Sequence, residues 1–310
     1  MPDTEMRTAK IEKTESIDWN RLWNLEIQRY RRAHGGCDCA AQWQSREKAL
    51  EYLEIAVNTQ SDRIRKVLNE LPVDRASRVL DIGSGPGVLT VPLARKTAHV
   101  TAVDASAAMI ELLRENAAGQ KINNIAGISK RWEDVDPEND LDGPYDVVVA
   151  SLSLAMYDLD HAIEKMQQVC SKYVFLYWFA GMTSWEEDYA KFAEFLPFSG
   201  RQITVPKAEL LLNLLWQKGI NPHIQKFPYT QPDWFDTIDD AVKYFIRRYN
   251  IPADCRNRTL RDRVYSMLER CGKGYVLHNH AACVKIWWPV RQAAILVSEK
   301  TEAKEIPAHA

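Results

Sequence analysis

Long apolar runs are absent from this sequence, and so is any excess of one charge. No window reaches about 18 uninterrupted apolar residues, the length that predicts a membrane-spanning helix. Lysine and arginine number 40 against 42 aspartates and glutamates, so the chain lacks the overall basic charge typical of a nucleic-acid binder. Residues 1–16 lack the apolar core of a signal peptide. We therefore expect a soluble, cytoplasmic protein with no membrane partner, for which nucleic acid is an unlikely partner.

Cysteine is scarce, with six residues scattered over 310 positions. In a chain without an export signal, free thiols are the expected state. His34, Cys37 and Cys39 are close enough in sequence to suggest a metal or redox site. However, the C-x-C spacing is tighter than that of the common zinc sites and has no matching second pair, which favours an ordinary loop. His278 and His280 share one face of a predicted strand, and whether they bind a metal is left open. No metal is predicted.

The chain is organised around residues 78–104. An apolar run meets a cluster of three glycines, a helical pattern follows, and a second apolar run ends on a carboxylate. This order predicts a strand, a tight turn, a helix and a parallel strand. Ligands of such sheets bind at the carboxyl ends of the strands, where the turn lies. Glycine there lets backbone N–H groups approach a ligand, and Asp104 is placed to accept hydrogen bonds from ribose hydroxyls.

The position of the third glycine distinguishes a dinucleotide-binding turn from a turn that binds another nucleoside. The dinucleotide fingerprint G-x-G-x-x-G requires glycine at position 88, where this chain has Val88. Its glycines fall instead at Gly83, Gly85 and Gly87, in the pattern G-x-G-x-G. A nicotinamide-dependent oxidoreductase is therefore disfavoured, although it stays among the alternatives.

The segments VLDIGSGPG (79–87) and VTAVDAS (100–106) closely resemble motifs I and II of the class I S-adenosylmethionine-dependent methyltransferases. The resemblance implies S-adenosylmethionine as cofactor, with the glycine turn passing under its methionyl part and ribose. Carried onto this sequence, the implied cofactor-binding residues are Asp81, Gly83, Ser84, Gly85, Gly87, Asp104, Ala105, Met109, Trp132, Glu133 and Ser151.

The adenine position is where this chain departs from the family pattern. The acid that usually binds the exocyclic amine is replaced by Arg131. We expect Trp132 to pack on the adenine face, while Glu133 or Asp134 accepts from the amine. A surface turn with an anchoring tryptophan is the alternative.

Residues 151–157 align with the motif beside the transferable methyl group. Asn-Pro-Pro-Tyr, which marks many enzymes that methylate adenine or glutamine amines, is absent here. The chain instead resembles the broad, type 11-like group of methyltransferases that act on small molecules. This resemblance implies a small-molecule acceptor. Tyr157, Trp178 and Trp23 are candidates for the substrate pocket, although each is also typical of core packing. No residue is identified as catalytic, because in-line displacement at a sulfonium requires positioning more than a dedicated base.

The resemblance predicts a Rossmann-like α/β fold with a seven-stranded, mostly parallel sheet. Its antiparallel last strand should insert between the fifth and sixth strands, with helices on both faces. We divide the chain into a disordered start (1–15), an N-terminal helical cover (16–72), a methyltransferase domain (73–298) with a helical insertion at about 230–272, and a mobile tail (299–310). The predicted function is methyl transfer. The alternative from another class is a non-catalytic S-adenosylmethionine-binding or assembly protein.

Overall fold

One sheet with the strand order β3-β2-β1-β4-β5-β8-β6 organises the protein. The computed structural model describes residues 17–33, 43–58, 62–196, 204–255 and 257–290, so the predicted disordered start and mobile tail lie outside the described residues. The strands are β1 Arg78–Ile82, β2 His99–Asp104, β3 Ile125–Ser129, β4 Tyr145–Ser151, β5 Cys170–Ala180, β6 His223–Phe235, β7 Glu269–Cys271 and β8 Gly274–Pro289.

Helices connect the strands and cover the sheet. They are α1 Trp19–Ala33, α2 Arg46–Asn58, α3 Asp62–Glu70, α4 Thr90–Ala94, α5 Ala107–Gly119, α6 Leu159–Val169, α7 Ser184–Lys191, α8 Ala208–Gln217, α9 Ile238–Tyr249 and α10 Arg258–Tyr265. Side chains of α1, α6 and α8 pack with Leu80, Val148 and Ile286 of the sheet. Those of α3 and α4 pack with Val79 and Val147. Successive strand residues point to opposite faces, so helices cover both faces, as predicted.

The first five strands are parallel, and β8 runs antiparallel between β5 and β6. The predicted insertion of the last strand is therefore confirmed, and so is the mostly parallel, Rossmann-like sheet. The short β7, which pairs with β8, is an additional strand. The burial of β1 and β4 on both faces explains their nearly continuous apolar sequences.

The region after residue 222 differs in detail from the prediction. Strand β6 extends to Phe235 through Pro228 and Pro232, so it enters the region predicted as a helical insertion at about 230–272. A proline removes a ladder donor, but β6 is an edge strand with β8 as its neighbour. Helix α10 ends at Tyr265, and residues 269–271, which also lie in the predicted helical insertion, form a hairpin with β8. Helical periodicity did not reveal this three-residue strand.

A separate apolar cluster lies where α7, α9 and α10 meet β8. Phe192, Phe245, Leu260, Val264 and Leu277 are buried in it. The side chain of Thr237 caps the start of α9, and Asn250 closes the helix in the left-handed conformation. Within the described ranges, no helix has both the length and the apolar character needed to cross a membrane.

Candidate functional site

The glycine turn begins where β1 ends, beside the carboxyl end of β2. The backbone N–H groups of Gly83 and Ser84 both donate to the carbonyl of Val103, at 2.7 and 3.1 Å. Gly83, Gly85 and Gly87 have φ angles of +72°, +54° and +87°. Positive φ is strained for residues with a Cβ, so the turn requires glycine-like backbone freedom at all three positions.

The surroundings of the three glycines differ. A Cβ on Gly83 would lie 2.2 Å from the Cβ of Ser153, and one on Gly87 would lie 2.8 Å from Cδ1 of Leu113. A Cβ on Gly85 would meet only the ring of Tyr52, at 3.8 Å. Close packing within the protein therefore explains two of the glycines that we had attributed to ligand approach. Gly85 remains the position where a Cβ would fit without displacing a neighbour, at ordinary contact distance from the ring of Tyr52.

Asp104 binds the turn through its side chain. Oδ2 accepts a hydrogen bond from the N–H of Gly85 at 2.8 Å, and Oδ1 accepts one from the N–H of Ser106 at 2.9 Å. Burial raises the pKa of this carboxyl group, and the two backbone donors only partly oppose the shift. Each carboxylate oxygen has more than one acceptor site, so Asp104 can accept further hydrogen bonds from a ligand beside Gly85.

Three other residues implied by the resemblance lie close to this turn. Asp81 is buried on β1 and accepts a 2.6 Å hydrogen bond from Oγ1 of Thr90. Ser84 is buried within the turn. The carbonyl of Ala105 accepts from Nε2 of Gln44 at 3.3 Å. The Asp81 contact joins β1 to the following helix, and the Ala105 contact joins the end of β2 to the chain before α2.

Helix α2 and the residues before it cover this side of the sheet. Oγ of Ser106 donates to the carbonyl of Trp43 at 2.7 Å. Met109 is buried against Ala49 of α2. The ring of Tyr52 lies edge-on to that of Trp43, with centroids 5.6 Å apart. Met109 therefore contacts the cover. Tyr52 and Trp43 also lie beside the site, although the sequence analysis did not name them. Their place in the predicted N-terminal helical cover was the one indication in the sequence that they could lie there.

Trp132 belongs to the core in this structure. It is 3% exposed, and its indole N–H donates to the carbonyl of Ala162 of α6 at 3.1 Å. The ammonium of Lys165 lies 5.3 Å from its ring centroid and donates to the carbonyls of Trp132 and Glu133. This geometry corrects the expectation that Trp132 packs on a ligand, because α6 already occupies its surroundings.

Glu133 stays half-buried beside the end of β4. Its Oε1 accepts from the backbone N–H of Tyr157 at 3.4 Å. Ser151 is half-buried at the end of β4, and nearby Ser153 donates to the carbonyl of Ile82 at 2.6 Å. The structure thus brings Glu133, Ser151 and Tyr157 to the carboxyl edge of the sheet, together with the glycine turn.

Two of the three pocket candidates lie inside the protein. Trp23 is 0% exposed and donates to the carbonyl of Met156, and Trp178 is 2% exposed and donates to the carbonyl of Pro206. Their ring centroids are 6.3 Å apart. The structure corrects both pocket assignments, because the two indoles pack α1 and α8 onto the sheet. Tyr157 is half-buried beneath the guanidinium of Arg31, whose Cζ lies 3.7 Å from the ring centroid.

The histidine and cysteine patterns yield no metal-binding cluster in the described part of the chain. His278 contacts Glu269 at 2.9 Å on the surface. The backbone N–H of His280 donates to Oγ of Ser184. His34, Cys37 and Cys39 lie outside the described residues, so that interpretation stays open.

Comparisons with known proteins point to one kind of domain. Residues 79–172 match the family model described as a methyltransferase domain. An uncharacterized protein of Haemophilus influenzae is 33% identical over 179 residues, which cover 57% of this chain and 63% of that protein. Ribosomal RNA small subunit methyltransferase G of Vibrio cholerae (strain M66-2) is 29% identical over 127 residues, covering 36% and 60% respectively. The matches therefore span less than two thirds of either relative.

A solved structure gives the fold independently of the sequence. A proposed methyltransferase from Bacillus halodurans superimposes with a TM-score of 0.50 at 12% identity, covering 74% of this chain and 99% of that one. At 12% identity, this similarity shows a shared fold alone.

The expectation that nucleic acid is an unlikely partner was wrong. The Vibrio cholerae relative is by its name a ribosomal RNA methyltransferase, so this kind of domain also occurs in enzymes that act on RNA. The expectation depended on a net charge summed over the whole chain, and such a sum does not describe any single face of the molecule.

Proposed function

We propose that the protein transfers the methyl group of S-adenosylmethionine to an acceptor by in-line displacement. The match of residues 79–172 to a methyltransferase domain supports this proposal. The observation that carries the proposal is the junction of Gly85 and Asp104. There a stretch of backbone with room for a side-chain carbon adjoins a half-buried carboxylate that can still accept hydrogen bonds.

The cofactor fits this junction chemically. The carboxylate of Asp104 would accept from the ribose hydroxyls, and charge-assisted hydrogen bonds of this kind are among the stronger ones. The backbone at Gly85 would lie beside the methionyl part. Glu133 would accept from the adenine amine through Oε2, and Ser151 would line the same edge. Trp132 has no part in this proposal.

The reaction needs alignment more than acid–base chemistry. With the cofactor held at Asp104 and Gly85, the bond from sulfur to the methyl carbon would break as the acceptor's lone pair bonded to that carbon, so the positive charge would pass from sulfur to the acceptor. S-adenosylmethionine supplies this activated methyl group when bound. The protein's own contribution is to hold the acceptor in line and exclude water, which can supply several kcal/mol of rate enhancement. We assign no catalytic base.

As the acceptor we propose a small molecule. Support comes from the aromatic side chains at the carboxyl end of β5, where the ring of Phe179 lies 5.4 Å from that of Trp185 and 5.6 Å from that of Tyr229. Ribosomal RNA is the second candidate, favoured by the Vibrio cholerae relative. RNA binding that weakens steeply with salt would select the second candidate.

The cover and the insertion belong to the same proposal. We propose that residues 16–72 cover the cofactor, within a methyltransferase domain of residues 73–298 whose insertion at about 230–272 faces the acceptor. The packing of α2 on α5 supports the first assignment. The separate apolar cluster of α9 and α10 supports the second. A cytoplasmic location stays a prediction.

Calorimetric titration with S-adenosylhomocysteine tests the cofactor site. We expect saturable binding to the wild type and at least about tenfold weaker binding to Asp104→Asn, because losing a charged hydrogen-bond acceptor costs roughly 1.5–3 kcal/mol. Asp142→Asn, at the opposite edge of the sheet, is the matched control and should bind normally. Tight NADH binding without any response to S-adenosylhomocysteine would refute the proposal. Good cofactor binding without methyl transfer to any acceptor would leave the non-catalytic alternative.

A further inference from the structure

Strands β6 and β8 extend beyond the carboxyl edge of the parallel strands. The pairing of β5 with β8 ends at Ala180 and Ala282, while the pairing of β6 with β8 continues to Phe235 and Tyr275. A two-stranded ribbon therefore stands beyond the end of β5. Helix α9 packs on this ribbon, since Phe245 and Leu277 are buried in one cluster. The ribbon and α9 thus adjoin the edge at which the glycine turn lies.

A polar cluster lies between α9 and the ribbon. The hydroxyl of Tyr244 donates to Oδ2 of Asp233 at 2.6 Å, and Nδ2 of Asn279 donates to the same oxygen at 2.7 Å. The guanidinium of Arg248 donates to the hydroxyl of Tyr244. The carboxylate of Asp233 therefore holds the phenol and the amide, and Arg248 is connected to it only through the phenol.

Arg248 lacks an acidic partner of its own. Among the residues that the structure describes, no carboxylate lies within 4 Å of its guanidinium. The side chain is half-buried, and its Cζ lies 5.7 Å from the ring centroid of Trp185 and 5.3 Å from that of Tyr244. Burial disfavours the charge on Arg248, but Tyr244, Tyr249 and Asp233 outweigh burial and raise the pKa of the guanidinium. Its negative partner is therefore Asp233, which is joined to it through the hydroxyl of Tyr244 rather than by direct contact. A planar guanidinium that lies near two aromatic rings is well suited to bind a carboxylate through two N–H donors.

The cluster also contains an unused acceptor. Asn279 is 5% exposed, and its Oδ1 is buried without a hydrogen-bond partner. A buried polar atom is rarely left unsatisfied. Asp233 thus lies between a guanidinium that contacts no carboxylate directly and an amide oxygen that has no hydrogen-bond donor.

Aromatic rings connect Arg248 to the end of β5. The guanidinium lies over Trp185, and the ring of Trp185 contacts that of Phe179. Phe179 in turn contacts Tyr229 of β6. A flat ligand that lies against these rings, at the edge where the acceptor approaches, would bring a carboxylate to Arg248.

We propose that Arg248 binds the carboxylate of the methyl acceptor, and that the acceptor is a planar aromatic acid whose O–H or N–H group donates to Asn279. This inference rests on the proposed function and names the substrate class for the same site. The cofactor also contains a carboxylate, in its methionyl part, and the experiment must separate the two sources.

The test compares Arg248→Met with Arg247→Met, a control in which the neighbouring, exposed arginine of the same helix is changed. Each protein is saturated with S-adenosylhomocysteine and titrated with benzoate, salicylate and anthranilate, and with benzamide as the neutral probe. We expect the wild type and Arg247→Met to bind at least one acid tenfold more tightly than benzamide. Arg248→Met should lose that preference. Failure of the wild type to bind any of the acids, or an unchanged preference in Arg248→Met, would overturn the inference.

A second arm addresses the cofactor's own carboxylate. S-adenosylhomocysteine and 5′-methylthioadenosine, which lacks the amino-acid part, are titrated into the wild type and Arg248→Met without acceptor. We expect equal affinities in the two proteins. Selective loss of S-adenosylhomocysteine binding would assign Arg248 to the cofactor and overturn the inference, whereas no binding to the wild type would refute the proposed function itself.

Tyr244→Phe keeps the inference falsifiable if Arg248→Met does not fold. This variant retains the ring but removes the hydroxyl that holds the guanidinium, so the preference for acids should fall by a smaller factor. A Tyr244→Phe protein with wild-type preference would count against the inference.

Discussion

At the scale of single residues, the glycine turn shows that one backbone requirement can have several causes. All three glycines have positive φ, yet a Cβ would clash only at Gly83 and Gly87, whereas at Gly85 it would meet the ring of Tyr52 at 3.8 Å. Gly83 is held against Ser153, whose hydroxyl binds the carbonyl of Ile82. The motif therefore combines a packing constraint with a binding constraint.

Alanine at two of these positions should separate the constraints. Gly83→Ala should lower the free energy of unfolding by about 3 kcal/mol, because backbone strain adds to the overpacking against Ser153. Gly85→Ala should cost only about 1 kcal/mol, from its strained φ, yet weaken S-adenosylhomocysteine binding. Urea denaturation and calorimetry measure the two effects. Equal stability losses in both variants would contradict this account.

At the scale of elements, a small residue of α2 sets how closely the cover packs on α5. Ala49 is completely buried against Met109 and Leu112 of α5. Tyr52, one turn further along α2, lies beside Gly85. The ion pair between Arg46 and Glu115 is exposed, and exposed pairs contribute little. The position of Tyr52 therefore depends mainly on how closely α2 approaches α5.

Enlarging this contact should displace the cover. Ala49→Leu inserts three carbon atoms into a filled interface, which typically costs about 1–3 kcal/mol and should move Tyr52 away from the turn. We expect severalfold weaker S-adenosylhomocysteine binding while the sheet stays folded, measured by calorimetry and far-UV circular dichroism. Ala118→Leu, on the exposed face of α5, is the control. Unchanged binding in Ala49→Leu would show that the cover does not contribute to the site.

At the scale of the whole molecule, the two edges of the sheet carry different carboxylates. Asp104, at the carboxyl edge, belongs to the candidate site. Asp142, at the amino edge, accepts from the hydroxyls of Tyr145 and Thr101 at 2.7 and 2.9 Å and pairs with Arg78 at 2.7 Å. It thereby joins β1, β2 and β4 on the side away from the turn.

Acid should reveal the role of Asp142. Burial alone would raise the pKa of this carboxyl group, but its hydrogen bonds from Tyr145, Arg78 and Thr101 outweigh burial and lower the pKa from 3.8 to about 2. The folded state therefore binds this proton less readily than the unfolded chain does. The resulting stability is present above pH 3.8 and is lost as the pH falls to about 2.

Asp142→Asn should remove this part of the pH dependence. Because the side chain is 52% exposed, solvent screening reduces the expected contribution to about 1 kcal/mol. Urea denaturation between pH 5 and 2 should give a flatter profile for the variant, with S-adenosylhomocysteine binding at pH 7 unchanged. Asp104→Asn should behave in the opposite way, losing binding. A loss of binding in Asp142→Asn would contradict the separation of the two edges.

Tryptophan illustrates where reasoning from the sequence alone fails. Trp23, Trp132 and Trp178 all lie in segments that the resemblance places near the ligand, and all three are buried with their indole N–H groups bonded to backbone carbonyls. Sequence position gives the strand end at which a side chain starts. The side of the sheet to which a large ring turns depends on the helices that pack there, which the sequence pattern did not resolve.

The sequence by itself determined the sheet and the ligand edge, because strand burial, glycine spacing and the carboxylate after β2 are local properties of residues 78–104. The tertiary structure alone decided which residues surround that edge. Tyr52 reaches Gly85 through the packing of α2 on α5, and Arg248 meets Trp185 and Tyr244 because the ribbon of β6 and β8 carries α9 beyond β5. Such contacts join residues distant in the chain, and their partners are selected by packing rather than by local pattern.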